Sequence, residues 1–328
     1  MTNAVDIMNY APLVAPGISG MEFQYEEFQI MLNTTFKHMA EGGVAKTLWG
    51  RNVPLDDVAN LPYDDTLNVE AATAQLDEAG YDIVVLACLK MWSYHYHHKL
   101  IMDMDEEVVA RAIEAAPDRF VGAAGYNPFR IEESLARIEM AVREWNFKYV
   151  YFHPITFGLA PNDRRCYPLY AKCVELGIPV GFQVGHSAEV LPSEVGRPML
   201  VDQVAIDFPN LRINMSHTGW PWTGEFCSML WRHPNVYGDI SAYFPSSLDT
   251  QLIKFMDSGR GRHKLMFGTN GFDLARFKQD FEELPISDRT KQQVLHDNAI
   301  DFLGLSRPAD LPVSNSYGST RRAAGWRP

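Results

Sequence analysis

The chain has 328 residues, 46% of them hydrophobic, so its length accommodates one barrel-sized domain or two smaller ones. Its formal net charge of -12 disfavours nucleic acid or an anionic membrane as a partner, because binding phosphate groups needs concentrated positive charge. The sequence has no apolar run of membrane-span length and no signal-peptide pattern at its start, so we expect a cytoplasmic protein.

Short β-rich runs alternate with amphipathic segments along most of the chain. The eight predicted strands cover residues 4–8, 83–88, 119–124, 148–152, 179–184, 212–216, 236–241 and 264–268. Apolar residues at helical spacing predict helices over 106–116, 131–145, 167–176, 200–207 and 291–303. Eight strand-helix units predict an α/β fold, a (β/α)8 barrel of the TIM type.

Two stretches depart from this alternation. Residues 11–63 separate the first two strands with Pro- and Gly-punctuated sequence, which predicts an insertion over the barrel mouth. Residues 306–328 are rich in Pro, Ser, Gly and Arg and show no periodicity, which predicts an irregular C-terminal tail. We therefore expect the barrel to occupy residues 1–305.

Polar side chains follow the later predicted strands where each strand ends. They are His153, His186, His217, Asp239 and Asn270. Chemistry in such barrels occurs at the carboxyl ends of the strands. A single histidine there is more often a packed imidazole than a ligand, but three in succession predict convergence on a divalent metal. Zinc suits such ligands best, with manganese or iron as alternatives.

Long ordered motifs in the second half of the chain resemble the amidohydrolase-related family of decarboxylases and hydrolases. They are Phe152-His153-Pro154, Leu176-Gly177-Ile178-Pro179-Val180 before His186, Phe208-Pro209-Asn210-Leu211, Ser216-His217-Thr218-Gly219-Trp220, His233-Pro234-Asn235-Val236-Tyr237, Phe267-Gly268-Thr269-Asn270 and Asn298-Ala299-Ile300-Asp301-Phe302-Leu303-Gly304. The resemblance implies a barrel whose metal is held by an HxH pair ending strand one, one histidine after strand five, one after strand six, and an aspartate after strand eight.

Only part of that ligand pattern is present. His186 and His217 match the two middle histidines, whereas Met8 and Tyr10 stand where the HxH pair is expected and Asn270 replaces the aspartate. An amide oxygen is a weak ligand and cannot shuttle protons. A catalytic zinc usually keeps three protein ligands, so a third must come from elsewhere.

We favour His153 as that third ligand, giving a predicted set of His153, His186 and His217. A substrate-contacting or simply buried imidazole is an equal alternative for His153. Asp6 and Asn270 are further candidates, with the histidines of segment 95–98 (His95, His97 and His98) as a distant one. Asp239 is expected either to orient an imidazole or to pair with nearby backbone.

The missing ligands favour a function as an auxiliary subunit with a degenerate metal site. The pattern of losses is similar to the smaller partner of two-component amidohydrolase-fold monooxygenases, of the kind that hydroxylates 2-aminoisobutyrate. This implies a hetero-oligomer with a homologous amidohydrolase-fold subunit that carries the oxygen-activating site.

The alternative is an enzyme that acts alone. It would be a mononuclear metal-dependent hydrolase or non-oxidative decarboxylase of a small carboxylate or amino-acid substrate, with a metal between the three histidines. A metal-free binding barrel is a third hypothesis.

Overall fold

The computed structural model describes residues 2–15, 25–27 and 66–305. The predicted tail at 306–328 and most of the predicted insertion at 11–63 lie outside these residues, so both stay predictions. No helix in the described ranges is long and apolar enough to cross a membrane.

Eight parallel strands form one sheet. The strands in chain order are β1 Ala4–Tyr10, β2 Tyr81–Ala87, β3 Lys90–Ser93, β4 Lys99–Asp103, β5 Phe120–Ala124, β6 Tyr149–Phe152, β7 Val180–Gln183, β8 Ile213–Ser216, β9 Val236–Asp239 and β10 Leu265–Met266. The sheet strands are hydrogen-bonded in the order β1-β2-β5-β6-β7-β8-β9-β10. Each predicted strand overlaps one of them, which confirms the barrel.

Backbone hydrogen bonds close the barrel between its first and last strands. The Ile7 N–H donates to the Phe267 carbonyl at 3.0 Å, and the Asn270 N–H donates to the Met8 carbonyl at 2.7 Å. The Asp6 carboxylate, completely buried in β1, also accepts bonds from the Thr269 N–H and hydroxyl. These bonds place Tyr10 and Asn270 side by side at one end of the barrel.

Helices pack outside the sheet and connect its strands. In the described residues they are α1 Val69–Ala79, α2 Glu106–Ala115, α3 Ile131–Glu144, α4 Tyr167–Leu176, α5 Val201–Asp207, α6 Thr223–Arg232, α7 Thr250–Met256, α8 Leu274–Glu282, α9 Asp288–Gln292 and α10 Asn298–Leu303. The predicted last helix, 291–303, is interrupted by a π-helical turn, Gln293–Asp297, between α9 and α10. The other four named helices agree within one residue at each end.

The antiparallel hairpin β3-β4 was not predicted from the sequence. It follows β2 at the carboxyl end of the barrel strands, and its turn contains the aromatic and histidine segment 94–98. The hairpin also packs against the 3-10 turn Pro154–Phe157 that follows β6. It therefore lies beside the barrel mouth.

Candidate active site at the barrel mouth

Three residues at strand ends adopt the left-handed backbone conformation although none is glycine. His217 directly follows β8 with φ of 74°, Thr218 has φ of 62°, and Asn270 beyond β10 has φ of 58°. Such a residue costs about 1 kcal/mol relative to ordinary backbone. Strain of this kind is concentrated where a fold fixes functional side chains, so it marks the mouth as the candidate site.

The buried imidazole of His217 is held by a chain of hydrogen bonds that ends at Asp239. The Ser241 hydroxyl donates to the Asp239 carboxylate, so it accepts from His217 Nδ1 at 2.7 Å. This assigns the ring proton to Nδ1 and leaves Nε2 to accept from the Tyr151 hydroxyl at 3.3 Å. Burial lowers the pKa of His217, while the negative charge of Asp239 opposes that shift.

Asp239 performs both roles that the sequence left open. Through Ser241 it orients the His217 ring, and it also accepts from the backbone N–H groups of His217 and Ser241 at 3.2 and 3.0 Å. Its other oxygen accepts from Asn214 and Ser216. One carboxylate therefore fixes the ends of both β8 and β9.

His153, directly after β6, is buried next to His217. Burial, and secondarily the proximity of His217, lowers the pKa of His153 to about 3, so its ring is neutral near pH 7. Its Nε2 atom lies 3.5 Å from Glu189 Oε2. Its Nδ1 atom is buried and makes no hydrogen bond, although Gln183 lies beside the ring.

Glu189 is a candidate functional side chain that was not predicted from the sequence. Its carboxyl group is buried in the loop after β7, and burial, together with the charge of Glu27, raises its pKa to about 7. The Ser187 hydroxyl donates to the same oxygen that approaches His153. The only sequence signal was an acidic residue three positions after His186. A carboxyl group that exchanges a proton near neutral pH is suited to acid catalysis.

Two positions of the expected metal site are bonded directly to each other. The Tyr10 hydroxyl donates to Asn270 Oδ1 at 2.6 Å. Burial raises the pKa of Tyr10, and the charges of Glu189 and Asp239 add to the shift, so the phenol stays protonated and acts as a donor. Met8, the other HxH position, is buried.

His186 differs in burial from His153 and His217, whose imidazoles are buried. Its side chain is exposed, and its ring packs edge-on against Trp220 and Trp222 with centroid distances of 5.2 and 5.4 Å. Among described residues, the three predicted ligands do not form a group whose ligand atoms all lie within 4.8 Å of one another. The set stays a prediction, and it requires the ligand atoms of these three side chains to come closer together.

The other third-ligand candidates have different surroundings. All the hydrogen bonds of the Asp6 carboxylate are to groups in the barrel core, from Met8, Asn9 and Thr269. Asn270 accepts from Tyr10, as described. In segment 95–98, all three histidines are exposed, and His97 contacts Glu26.

A cavity of about 500 Å³ opens beside Glu189. Residues 186–191, Ser193, Glu194 and Trp222 line it. This volume lies within the usual range for small-molecule sites. The loop after β7 therefore brings a protonatable carboxyl group to a space that a small substrate could occupy.

Gly185 determines how this loop leaves the barrel. Its φ is +85°, and an added Cβ would lie 2.5 Å from the Trp220 carbonyl oxygen and 2.7 Å from the Gly219 carbonyl carbon, both backbone atoms. We expect Gly185→Ala to destabilise the protein by about 3 kcal/mol in urea unfolding, from left-handed strain plus displaced backbone.

Gly177→Ala is the matched control for this prediction. Gly177 also has a positive φ, +71°, but an added Cβ would meet nothing within 4 Å. This variant should lose only about 1 kcal/mol from strain. Equal losses in both variants would contradict the close approach of the two loops.

The raised pKa of Glu189 predicts a specific pH dependence of stability. Below pH 4.5, the ordinary value, the carboxyl is protonated in folded and unfolded chains. Between 4.5 and about 7 only the unfolded chain loses the proton, so the folded state loses stability as pH rises. The folded state loses at most about 3 kcal/mol of stability over this interval, because each pH unit contributes about 1.4 kcal/mol.

Urea unfolding of the wild type and Glu189→Gln at several pH values isolates this contribution. The variant is needed because His153, with its lowered pKa, has the opposite effect: its folded state gains stability as pH rises from about 3 to 6.5. We expect the stability of the wild type relative to the variant to fall by about 3 kcal/mol between pH 4.5 and 8. A constant difference would show that Glu189 ionises freely in the fold.

Comparison with known proteins places the chain among related sequences. The profile of the family described as Amidohydrolase matches residues 49–305. A curated relative, the 2-amino-3-carboxymuconate-6-semialdehyde decarboxylase of Dictyostelium discoideum, is 24% identical over 271 residues, covering 70% of this chain and 75% of the relative.

Solved structures share the fold. An uncharacterized TIM-barrel protein from Bordetella bronchiseptica is 23% identical with a TM-score of 0.67, covering 92% of this chain and 98% of its own. A manganese-bound 5-carboxyvanillate decarboxylase from Novosphingobium aromaticivorans is 18% identical with a TM-score of 0.58, covering 93% and 97%. At these identities the likeness concerns the barrel alone.

Proposed function

The chain belongs to the amidohydrolase family, and from this premise we propose that it catalyses non-oxidative decarboxylation of a small carboxylate substrate at the barrel mouth. The observation that carries the proposal is the buried Glu189 carboxyl, which holds a proton near pH 7 beside a neutral His153 and a cavity. The curated decarboxylase relative supports this alternative better than the auxiliary subunit that the missing ligands suggested first. A partner subunit stays a prediction.

Glu189 would supply the proton that the reaction consumes. The bond between the substrate carbon and its carboxylate breaks, the electron pair stays on that carbon, and carbon dioxide leaves. The Glu189 carboxyl then protonates the carbon and recovers its own proton from solvent. Its pKa of about 7 balances the fraction protonated against readiness to donate.

The two buried histidines do not line the cavity, and they would position the Glu189 carboxyl rather than touch the substrate. In the neutral His153 ring, a proton on Nδ1 leaves Nε2 to accept from protonated Glu189. His217 is held rigidly through Ser241 and Asp239, which suits a positioning role next to His153.

The residues at the positions of the family's metal ligands are not arranged to hold a metal ion. Tyr10 and Asn270 are bonded to each other, and Met8 offers only a thioether. The exposed His186 forms no close ligand group with His153 and His217. Metal held by His153, His186 and His217, with zinc as the ion expected from the sequence and manganese as the ion of solved relatives, stays a prediction. The proton transfer described above uses only this chain's own residues.

The proposal is tested by carbon dioxide release from the chain purified alone. A panel of small aromatic, unsaturated and amino-acid carboxylates, each labelled at the carboxyl carbon, would be incubated with the protein under air and under argon. We expect equal release in both gases for at least one compound. Turnover that appears only after a homologous subunit is added would contradict the proposal and favour the auxiliary role.

A further inference from the structure

A second cluster of ligand-type side chains lies apart from the buried histidines, next to the hairpin. The cluster consists of Glu26, Glu27 and His97. Each offers one ligand atom, and these three atoms lie within 4.8 Å of one another, the only such group among the described residues. Glu26 and His97 are exposed, whereas Glu27 is 1% exposed. The group brings together residues that are far apart in the sequence, since Glu26 and His97 are separated by 71 positions.

Glu27 provides an independent indication that something binds there. One of its carboxylate oxygens accepts from the Ser93 hydroxyl, but the other is buried and has no hydrogen-bond partner. A buried carboxylate is costly unless it is paired or coordinates a metal. The free oxygen therefore requires a cationic or proton-donating partner.

Neighbouring residues hold Glu27 and His97 in place. The His97 N–H donates to Ser93 Oγ at 2.9 Å, and the His97 ring packs 4.8 Å from that of Tyr25. The Glu27 carbonyl accepts from the Val190 N–H at 3.2 Å, one residue beyond Glu189. Ligands fixed in this way bind an ion with little ordering cost.

We propose that Glu26, Glu27 and His97 bind a divalent transition-metal ion of the zinc or manganese class. Two carboxylates balance the charge of the ion, and the imidazole favours a transition metal over magnesium or calcium. Three protein ligands leave coordination positions open to water.

Direct metal binding tests this site. The full chain, stripped with a chelator and dialysed, would be titrated calorimetrically with zinc chloride and with manganese chloride, and manganese binding followed by electron paramagnetic resonance. We expect one ion per chain. Glu27→Gln and His97→Gln should each weaken binding about tenfold or more, whereas His98→Gln, a neighbouring exposed imidazole outside the group, should bind as the wild type does.

Several results would overturn the proposal. They are no binding of either ion, unchanged binding in both Glu27→Gln and His97→Gln, or loss of binding in His217→Gln with these two variants unaffected. The last result would place the ion at the family position instead. Because His97 is exposed, its variant should remain folded, which circular dichroism verifies, so the test stands even if Glu27→Gln is unstable.

Discussion

Replacing Glu189 by glutamine is expected to lower kcat about 100- to 10,000-fold, the usual contribution of a general acid. Glutamine has nearly the same shape but cannot give up a proton to the substrate carbon. The wild-type rate should also fall about tenfold per pH unit above pH 7, because the carboxyl with a pKa of about 7 loses its proton there. The measurement is steady-state carbon dioxide release from pH 5 to 9.

Glu194→Gln is the matched control for this variant. Glu194 lines the same cavity, but its exposed side chain pairs with Arg197 at 3.0 Å. Its replacement should change kcat less than about threefold, since surface ion pairs contribute little. Full activity in Glu189→Gln, or a wild-type rate that does not fall between pH 7 and 9, would remove Glu189 from the reaction.

Asp6→Ala is expected to destabilise the protein by about 4 kcal/mol in urea unfolding. Its carboxylate accepts from the Met8 N–H at 3.0 Å, Asn9 Nδ2 at 3.0 Å and the Thr269 N–H at 2.9 Å, and also from the Thr269 hydroxyl. Removing it leaves buried donors unpaired where the first and last strands meet. Each unpaired donor costs about 1–3 kcal/mol.

Asp6→Asn provides the comparison, because its amide keeps one acceptor oxygen and nearly the same volume. It should lose less than half as much stability as the alanine variant. If Asp6→Ala stays within 1 kcal/mol of the wild type, the carboxylate does not hold the barrel closed, and the positions of Tyr10 and Asn270 need another cause.

The barrel could be predicted because its signal is spread along the chain. Most of the sheet strands are short buried runs separated by helices, and this alternation survives small errors at element ends. The hairpin β3-β4 was missed because its strands, Lys90–Ser93 and Lys99–Asp103, are short and partly exposed. The π-helical turn Gln293–Asp297 has no such sequence pattern.

The site was predictable only where a side chain directly follows a strand. His153 and His217 do so, and both are buried at the mouth. His186 follows β7 by three residues, after the left-handed Gly185, and its N–H donates to the Trp220 carbonyl. Loop geometry of that kind depends on a neighbouring loop, which no local pattern reveals.

The remaining groups depend on tertiary contacts. The pKa of Glu189 is raised because the fold buries it, and burial of a loop residue is not encoded in its neighbours. The Glu26, Glu27 and His97 cluster joins residues about 70 positions apart in the sequence. Both features therefore required the structure.

Product labelling in heavy water, without oxygen, tests the central claim most directly. If the chain alone protonates the carbon from which carbon dioxide leaves, each product molecule should carry one deuterium at that carbon, in equal amount to the carbon dioxide released. A hydroxylated product, dependence on oxygen, or deuterium at a different carbon would contradict it.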